Sequence, residues 1–394
     1  MRFNLAITLV GLLICLLIDI RIYKIIKHRC HVRKSLYTSI HITSSLLSFI
    51  ALSSAIYTSR HPSDNALIVT MWLIFVFITT LFPKILFLLF DTLAIIPRLI
   101  NRNRLSWISR IGVIMSVMLF ATMWWGALIN RNRISVTEWT VKNDSWPDTF
   151  NGLRIAHISD LHTGTWGHDT TFVARLVTQV NELKPDIILF TGDIVNRKSD
   201  EFEPMLNTFK RLNAPLGVYA VLGNHDYGDY NRWPDEASHA ADIKNLKHLY
   251  AQSSHRLLLN ETVYIKKGSD SIALIGVENI GEPPFATYGN LSMAYPNLND
   301  STPKILMTHN PTHWVNDIKN NNACNIGLTL SGHTHAMQIQ IAGHTPSSWR
   351  YETPWGMYTD SLNHALIVNR GAGTVGLPMR IGATPEISLI TLQR

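Results

Sequence analysis

Cysteine is scarce in this chain, and its positions exclude two common kinds of scaffold. The 394 residues include three cysteines, Cys15, Cys30 and Cys324. None belongs to a Cys-x-x-Cys pair, so the pattern predicts neither a disulfide framework nor a cysteine-based zinc finger. We expect three free thiols.

Acidic residues are also rare, but only in the first third of the chain. Residues 1–134 hold 15 Lys and Arg against 3 Asp and Glu, whereas residues 135–394 hold 20 against 25. The basic pI of about 9.3 therefore comes from the front third. A protein that binds nucleic acid carries positive charge on its globular part, so this division predicts no nucleic-acid partner.

The same third of the chain contains four long apolar runs, each near or above the length that crosses a bilayer. A cleaved signal peptide is the alternative for the first run, but no small-residue cleavage site follows it and Arg21 comes directly after it. We predict a four-helix transmembrane module in residues 1–132, with spans at about 5–22, 36–58, 66–96 and 108–129.

The third apolar run contains polar interruptions. Pro83 predicts a tilt or a break in the helix. Lys84 and Asp91 are seven residues apart and share a helix face. They form either a buried intramembrane pair or two charges at an interfacial end.

Positive charge between the spans predicts their orientation. Basic residues concentrate in two connections, six in residues 21–34 and four in residues 98–110, Arg102 among them. Basic connections face the cytoplasm. With four spans, both termini and the whole C-terminal domain would then lie on the outer (periplasmic or extracellular) side of the cell membrane.

The rest of the chain has a globular pattern. Residues 133–152 predict a linker and a first strand, and residues 153–394 predict one domain. Helical runs at 169–183, 200–212 and 235–252 alternate with strands, and strand-rich sequence follows, which favours an α/β sandwich. The predicted strands are 153–159, 186–191, 218–222, 271–277, 304–308, 326–331, 365–368 and 386–392.

Five short fragments rich in metal-binding residue types each follow a predicted strand. They are Asp160-Leu161-His162, Gly192-Asp193, Gly223-Asn224-His225-Asp226, Thr308-His309-Asn310 and Gly332-His333-Thr334-His335. Ligands bind at the carboxyl ends of the strands in open α/β sheets, so we expect the fragments to converge. Residues two apart in an extended segment point the same way, so Asp160 and His162 can reach one ion, and His333 and His335 have the same spacing. The glycines would let the backbone turn tightly beneath the centre.

In this order, the fragments resemble the calcineurin-like metallophosphoesterase family. The resemblance runs from about Ile134 to the C-terminus, and residues 157–162 and 385–387 are similar to its membrane-associated bacterial branch. That branch includes phosphodiesterases and UDP-diacylglucosamine pyrophosphatases. The resemblance implies a calcineurin-like αββα sandwich that hydrolyses phosphate esters with two metal ions.

The resemblance also implies a role for each residue. Seven ligands would hold the two ions: Asp160, His162 and His335 one of them, Asn224, His309 and His333 the other, and Asp193 both. His225 would donate a proton to the leaving oxygen or stabilise its charge. Asp226 would orient His225 through the other ring nitrogen.

The types of ligand restrict the metal and the reaction. Mixed oxygen and nitrogen ligands suit Mn, Fe, Zn or Co better than Ca or Mg. Two such divalent ions lower the pKa of a shared water molecule and clamp phosphoryl oxygens. We therefore predict attack of a metal-bound hydroxide on phosphorus, without a covalent enzyme intermediate.

The sequence departs from many relatives at two places. Asn196 stands where they have aspartate, and Ala336-Met337-Gln338 stands where they have Gly-Gly-Gln. Two side chains beside the metals would narrow the pocket or shift the substrate. A nearby aromatic segment, with Trp349, Tyr351 and Trp355, either contacts substrate or lipid headgroups or packs on the sheet.

These observations predict a membrane-anchored dinuclear-metal phosphoesterase acting on phosphate ester, diester or pyrophosphate bonds of lipid or lipid-linked substrates. One alternative is a UDP-diacylglucosamine pyrophosphatase of lipid A synthesis, which needs the domain in the cytoplasm. An alternative of another class is a non-catalytic membrane sensor or transporter. The spans show no half-to-half repeat, and no ligand is missing from the set, which disfavours it. The oligomeric state is not specified.

Overall fold

The chain folds into two compact units. The computed structural model describes residues 5–30, 32–61, 65–100, 103–283 and 285–394. Arg102, one of the basic residues counted above, lies outside them. One unit comprises Met1–Ile129 with Gly376–Met379, and the other comprises Asn130–Val375 with Arg380–Arg394. The domain limits at 133 and 153 remain predictions.

The first unit is helical. Its helices are α1 (Leu5–Arg29), α2 (Lys34–Arg60), α3 (Ala66–Ile95) and α4 (Ser106–Leu128). Among the described residues, three segments are long and apolar enough to cross a membrane: Lys34–Arg60, Ala66–Leu99 and Ser106–Asn132. The helix α1 is not one of them, and charged residues occupy its second half. Its crossing stays a prediction.

Pro83 lies inside α3, which continues through it as one helix. The expected break is therefore absent. In the preceding turn, the hydroxyl groups of Thr79 and Thr80 donate to the carbonyls of Val76 and Phe77.

The two charges on α3 pair with other segments and not with each other. Lys84 Nζ donates to Asp19 Oδ1 on α1 at 2.9 Å. Asp91 Oδ1 accepts from Arg29 Nη1 at 2.7 Å and from Arg104 Nη2 at 2.6 Å. Of the two alternatives considered for these charges, the Lys84–Asp91 pair is therefore wrong, because each residue pairs with a partner outside α3.

The second unit contains two six-stranded sheets. It is the α/β sandwich that the sequence pattern favoured, but the strands at 256–257, 261–267 and 356–359 were not predicted. The strands are β1 (Ser135–Lys142), β2 (Arg154–Ile158), β3 (Ile187–Phe190), β4 (Val218–Ala220), β5 (Arg256–Leu257), β6 (Glu261–Lys267), β7 (Asp270–Gly276), β8 (Lys304–Met307), β9 (Leu328–Ser331), β10 (Gly356–Thr359), β11 (Ala365–Val368) and β12 (Glu386–Gln393). The helices are α5 (Thr171–Glu182), α6 (Leu206–Phe209), α7 (Glu236–Gln252) and α8 (Leu291–Ala294).

The sheets pack face to face as a sandwich. Their orders are β1-β12-β2-β3-β4-β5 and β10-β11-β9-β8-β7-β6. Apolar side chains of both sheets, such as Leu189 and Leu330, share one buried core. The helices α5 and α7 cover the outer face of the first sheet, and a cluster around Trp314 covers that of the second. The strands β2, β3 and β4 run parallel, as do β7, β8 and β9, so their carboxyl ends lie at one edge of each sheet.

The predicted helix 200–212 was wrong in extent. Only Leu206–Phe209 is α-helical, and two 3-10 turns precede it. Pro204 has no N–H to donate within a helix. The Glu201 carboxylate accepts the backbone N–H groups of Asn196 and Arg197 at 2.6 and 3.0 Å. The segment therefore supports the loop that follows β3 and does not continue as a helix.

Candidate metal centre

The five fragments meet in space, and they come from both sheets. Each follows the carboxyl end of a parallel strand. The strands β2, β3 and β4 of the first sheet precede Asp160, Asp193 and Asn224, and β8 and β9 of the second precede His309 and His333. The convergence expected for strand ends therefore takes place where the edges of two sheets face each other.

One group of ligand atoms consists of Asp160, His162 and His335. His162 Nε2 lies 3.0 Å from His335 Nε2, which lies 3.1 Å from Asp160 Oδ1. All three side chains are buried, and their ligand atoms lie within 4.8 Å of one another. This is a cluster that could hold one metal ion.

A second group consists of Asp193, His309 and His333, again with ligand atoms within 4.8 Å. The amide oxygen of Asn224 belongs with them, because it lies 3.0 Å from His309 Nε2 and 2.8 Å from His333 Nδ1. His333 therefore turns Nδ1 toward the group, whereas His309 turns Nε2. The second cluster combines two nitrogens and two oxygens.

Asp193 faces both groups. Its Oδ2 atom lies 3.2 Å from His309 Nε2 and 3.6 Å from His162 Nε2. Its Oδ1 atom accepts the backbone N–H of His225 at 2.8 Å. One carboxylate oxygen thus lies between the two ligand sets.

The donor set fits divalent cations. Asn224 Oδ1 is an acceptor in contact with ring nitrogens of both His309 and His333, and two imidazole nitrogens face each other at 3.0 Å in the first group. His309 Nδ1 donates to the carbonyl of Thr191 at 2.7 Å, which aims Nε2 at the centre. Oxygen and imidazole ligands without thiolate suit Mn, Fe, Zn or Co.

Electrostatics keep much of this set in its metal-binding form. Burial lowers the pKa of His162 well below its ordinary value and that of His333 to about 3. Neutral imidazole is the form that binds metal. Burial opposes ionisation of Asp193, yet His309 and His225 hold its pKa well below the usual range. Burial lowers the pKa of His309 but Asp193 raises it, to about 9, so a cation at Nε2 would release a proton.

Backbone strain is concentrated at the same residues. Five of the seven predicted ligands have positive φ angles: Asp160 (53°), His162 (48°), Asp193 (59°), His333 (73°) and His335 (51°). Such conformations cost about 1–3 kcal/mol each and persist where the surrounding structure enforces them. Strained conformations cluster at active sites and ligand-binding sites, so the strain makes this edge a candidate site independently of the side chains.

The glycines of the fragments serve mainly to make space. Gly192 has a φ of 89°, as expected for a tight turn. A Cβ atom at Gly223 would lie 2.2 Å from Asp193 Oδ1, and one at Gly332 would lie 2.2 Å from Asp160 Oδ2. Only glycine allows the two carboxylates to approach the neighbouring strand end this closely.

His225 lies at the edge of the centre. Its Nδ1 atom lies 2.6 Å from the carbonyl oxygen of Asn196, to which it donates in the neutral ring. The ring stacks on Tyr230, with centroids 4.3 Å apart, and meets the His162 ring edge-on at 4.9 Å. These contacts set the ring orientation and leave Nε2 for a substrate.

Asp226 does not orient His225, so that part of the sequence prediction was wrong. Its carboxylate turns under the loops and accepts four backbone N–H groups, those of Asp193, Ile194, Val195 and Gly223, at 2.8–3.2 Å. Burial and the charge of Asp193 raise the pKa of Asp226 to about 7, against the hydrogen bonds that favour its ionised form. Asp226 therefore contacts the backbone of the loops, whereas His225, the residue before it, turns its ring to Asn196 and Tyr230.

The three aromatic residues of the segment, Trp349, Tyr351 and Trp355, lie in different surroundings. Tyr351 reaches the centre, because its hydroxyl lies 3.1 Å from His333 Nε2. Trp355 packs into the domain instead: its Nε1 donates to Glu386 Oε2 at 2.9 Å, and Arg370 lies over its ring. Of the two alternatives for this segment, packing within the domain therefore holds for Trp355. Trp349 is 90 % exposed and has no contact with the centre.

Sequence reasoning missed two contributors to the site, and Tyr230 is a third residue that supports it. Thr191 and Asn196 act through backbone carbonyls, which no side-chain pattern can report. Tyr230 donates no ligand, but its hydroxyl accepts from Asn224 Nδ2 at 2.8 Å. Its position six residues after Asn224, in a segment rich in aromatics, was the available signal.

Comparison with known proteins identifies the family. The model of the calcineurin-like phosphoesterases matches residues 153–337. The metallophosphoesterase YkuE of Bacillus subtilis (strain 168) is 32 % identical over 267 residues, which are 66 % of this chain and 86 % of that protein. This chain belongs to the calcineurin-like phosphoesterases.

Two other relatives have informative names. A transmembrane protein with metallophosphoesterase domain from Danio rerio is 29 % identical over 66 % of this chain and 57 % of its own length. The UDP-2,3-diacylglucosamine pyrophosphatase LpxG of Chlamydia muridarum is 27 % identical over 55 % of this chain and 70 % of its own.

The membrane unit matches a family model as well. Residues 1–131 match the model described as a probable calcineurin-like phosphoesterase, transmembrane domain. With the apolar helices, this makes the protein a membrane-linked calcineurin-like phosphoesterase and a hydrolase. This finding disfavours the alternative of a non-catalytic membrane sensor or transporter.

Proposed function

We propose that this calcineurin-like phosphoesterase hydrolyses phosphate ester, diester or pyrophosphate bonds with a dinuclear metal centre. The observation that carries the proposal is the position of Asp193 Oδ2, which faces a ligand group on each side at 3.2 and 3.6 Å. A single carboxylate between two sets of ligands is what two ions about 4 Å apart require.

The ligand roles follow from the two groups. Asp160, His162 and His335 would hold one ion. Asn224, His309 and His333 would hold the other, and Asp193 would contact both. When bound, the two ions supply charge neutralisation for phosphoryl oxygens and lower the pKa of a water molecule.

His225 would act on the leaving group. Its Nδ1 atom is committed to the carbonyl of Asn196, so the proton that it exchanges with substrate is the one at Nε2. The stacked Tyr230 ring restricts rotation of the imidazole. A proton delivered to the leaving oxygen accelerates cleavage by about 10²–10⁴-fold.

Replacing His225 by alanine tests this assignment. We expect turnover of an alkyl phosphodiester, a poor leaving group, to fall by about 10²–10⁴-fold. Turnover of a bis-aryl phosphodiester should fall much less, because a phenolate leaves without protonation. Metal content, measured by mass spectrometry, should not change. The exposed His248→Ala variant is the control. An equal loss for both substrates would overturn the acid role.

Replacing Asp193 by asparagine tests the shared carboxylate. We expect the variant to lose both ions in dialysis against a weak chelator, whereas Asp160→Asn should lose one. Asp186→Asn, whose carboxylate caps the backbone N–H of Arg154, is the matched control. Two ions retained in Asp193→Asn would contradict the bridging role.

The substrate would be a lipid or lipid-linked phosphate. The membrane unit holds the domain near the bilayer, which raises the local concentration of such molecules, and a relative is named for hydrolysis of a diacylated sugar nucleotide. Extracts of cells with and without the protein should differ by one accumulated phospholipid or lipid-linked phosphate. Identical extracts would contradict a lipid substrate.

The active site would face outward. If α2, α3 and α4, which are long and apolar enough, each cross the membrane, a cytoplasmic basic connection before α2 would put the second unit outside, whether or not α1 crosses. UDP-diacylglucosamine, a cytoplasmic substrate, remains the second candidate because of the likeness to LpxG.

Cysteine labelling distinguishes the two. In a cysteine-free background, Trp349→Cys and Asn103→Cys place thiols at exposed side chains, the second of them between two apolar segments. An impermeant maleimide should label position 349 in intact spheroplasts and position 103 only after lysis. The reverse result would overturn the outward orientation and favour the sugar nucleotide.

A further inference from the structure

The helical unit contains a cavity that the phosphoesterase chemistry does not use. Its volume is about 820 Å³, within the range of pockets that hold small molecules. It is lined by α3, by the first turns of α2, by the first two thirds of α4 and by the end of α1. All of its lining residues belong to the first unit.

Most of the cavity is apolar and opens to the surface. Ile40 on α2 and Val113, Val117 and Phe120 on α4 line it, and between 43 % and 63 % of each of these side chains is exposed. In helices of this length and hydropathy, exposed apolar side chains face the hydrocarbon layer of a bilayer. The opening is therefore accessible from lipid.

One end of the cavity is cationic. Arg29, Arg104 and Arg110 line it together with Asp91, which is 1 % exposed. Asp91 Oδ1 accepts from Arg29, Arg104 and the hydroxyl of Ser109. Among the described residues, no second carboxylate lies within ion-pair distance of the three guanidinium groups. This end carries more positive than negative charge.

The donors at this end are incompletely satisfied by the protein. The buried Nε atom of Arg104 has no hydrogen-bond partner among the described residues. A buried donor without an acceptor costs about 1–3 kcal/mol, and charged residues within membrane segments often mark a ligand site. The excess of arginine over carboxylate at this end favours an anion, and the apolar remainder favours hydrocarbon.

We propose that this cavity binds one anionic glycerophospholipid. Its phosphate would lie against Arg104 and Arg110, and an acyl chain would follow the apolar wall formed by Val113, Val117 and Phe120. A zwitterionic lipid brings its own cation and gains less from the arginines. The site goes beyond the proposed function, because it lies in the helical unit and requires neither the metals nor His225.

Arg110 is the residue to test first, since it forms no ion pair with a described carboxylate, whereas Arg104 also supports Asp91. The full-length protein, reconstituted in nanodiscs, is titrated with spin-labelled phosphatidylglycerol or phosphatidylcholine. We expect the wild type to prefer phosphatidylglycerol, and Arg110→Gln to bind it about five-fold more weakly, as for the loss of one basic contact near the membrane surface. The exposed Arg98→Gln is the control, with the same change in net charge.

The apolar wall has its own pair of variants. Val113→Trp fills the cavity, whereas Ile114→Trp adds the same ring one position along α4, where the side chain is 59 % exposed and does not line the cavity. We expect only Val113→Trp to displace the bound lipid in native mass spectrometry. The size-exclusion profile and the circular dichroism spectrum of detergent-solubilised protein check that each variant is folded.

Three results would overturn the proposal. They are equal binding of phosphatidylcholine and phosphatidylglycerol, an equal loss in Arg98→Gln and Arg110→Gln, and retention of lipid by Val113→Trp. None of these results depends on the phosphoesterase assignment. A failure of the lipid site is thus distinguishable from a failure of the metal centre.

Discussion

At the scale of single residues, backbone conformation decides more at this site than side-chain identity. Ala336 and Met337 follow the last ligand and have φ angles of 50° and 46°. Many relatives have glycine at both positions, and glycine adopts this region without steric strain. The replacement of Gly-Gly by Ala336 and Met337 therefore leaves two non-glycine residues in the left-handed conformation. Its predicted effect on the width of the pocket stays a prediction.

Met337→Gly should stabilise the fold. The left-handed conformation costs a non-glycine residue about 1–2 kcal/mol, which glycine avoids. Glycine also makes the unfolded chain more flexible, which offsets part of this benefit, so we expect the free energy of unfolding to rise by about 1 kcal/mol. Little packing is lost, because Met337 is 46 % exposed. Chemical denaturation in the presence of chelator measures the change.

Met293→Gly is the matched control. Met293 is 68 % exposed and lies in α8 with ordinary backbone angles, so glycine there should destabilise by about 0.5–1 kcal/mol. If both substitutions destabilise the protein equally, the strain at Met337 is not real.

At the scale of elements, the loops after β3 and β4 are held together by one carboxylate. Asp226 comes from the loop after β4 and accepts three N–H groups from the loop that carries Asp193. Without it, the backbone beneath the shared ligand has no acceptor in a dry interior. The role of Asp226 is structural support of the centre, and the role predicted from the family pattern was orientation of His225.

Asp226→Asn should therefore lower the free energy of unfolding. In asparagine an NH2 group replaces one carboxylate oxygen, so the backbone N–H groups that bonded this oxygen then face another donor. Losing hydrogen bonds to a buried charge costs about 3 kcal/mol. Denaturation with excess chelator removes any metal contribution. Asp242→Asn, which loses bonds to Ser199 in a half-buried position, should cost about 1 kcal/mol by the same rule. Equal stability of wild type and Asp226→Asn would refute the support role.

At the scale of the whole molecule, stability should depend on a histidine far from the metals. His255 is buried against Phe209, and neither ring nitrogen has a hydrogen-bond partner among the described residues. Burial lowers its pKa to about 4. In the unfolded chain the pKa is about 6.5, so between these values the unfolded state binds more protons. The free energy of unfolding therefore falls as the pH decreases from about 6.5 to about 4.

His255→Phe should remove this acid sensitivity. The shift corresponds to about 3 kcal/mol of stability that the wild type loses between pH 7 and pH 4 and the variant keeps. Unfolding is followed by denaturant titration at several pH values with chelator present. At pH 8 the two proteins should differ only by packing. Parallel pH curves for the two proteins would contradict the prediction.

Much of the site was predictable because its chemistry is local. Ligand types, their order and their position after apolar strands were visible in the sequence, and the structure brings all seven predicted ligands together. Glu201 and Asp226 show where this stops: each was assigned to a helix or a ring nearby, and each instead satisfies backbone donors of another loop. Which donors a carboxylate meets is decided only when the chain has folded.

The sequence alone determined the division into an apolar, basic helical part and a metal-binding α/β part, because hydropathy, charge and strand–ligand spacing are properties of short segments. The tertiary structure alone decided that two sheets face each other across Asp193, that Asp91 joins Arg29 and Arg104, and that ligand residues adopt strained backbone angles. Each of these depends on contacts between residues far apart in the chain, where burial removes water and makes a missing hydrogen bond or charge partner costly.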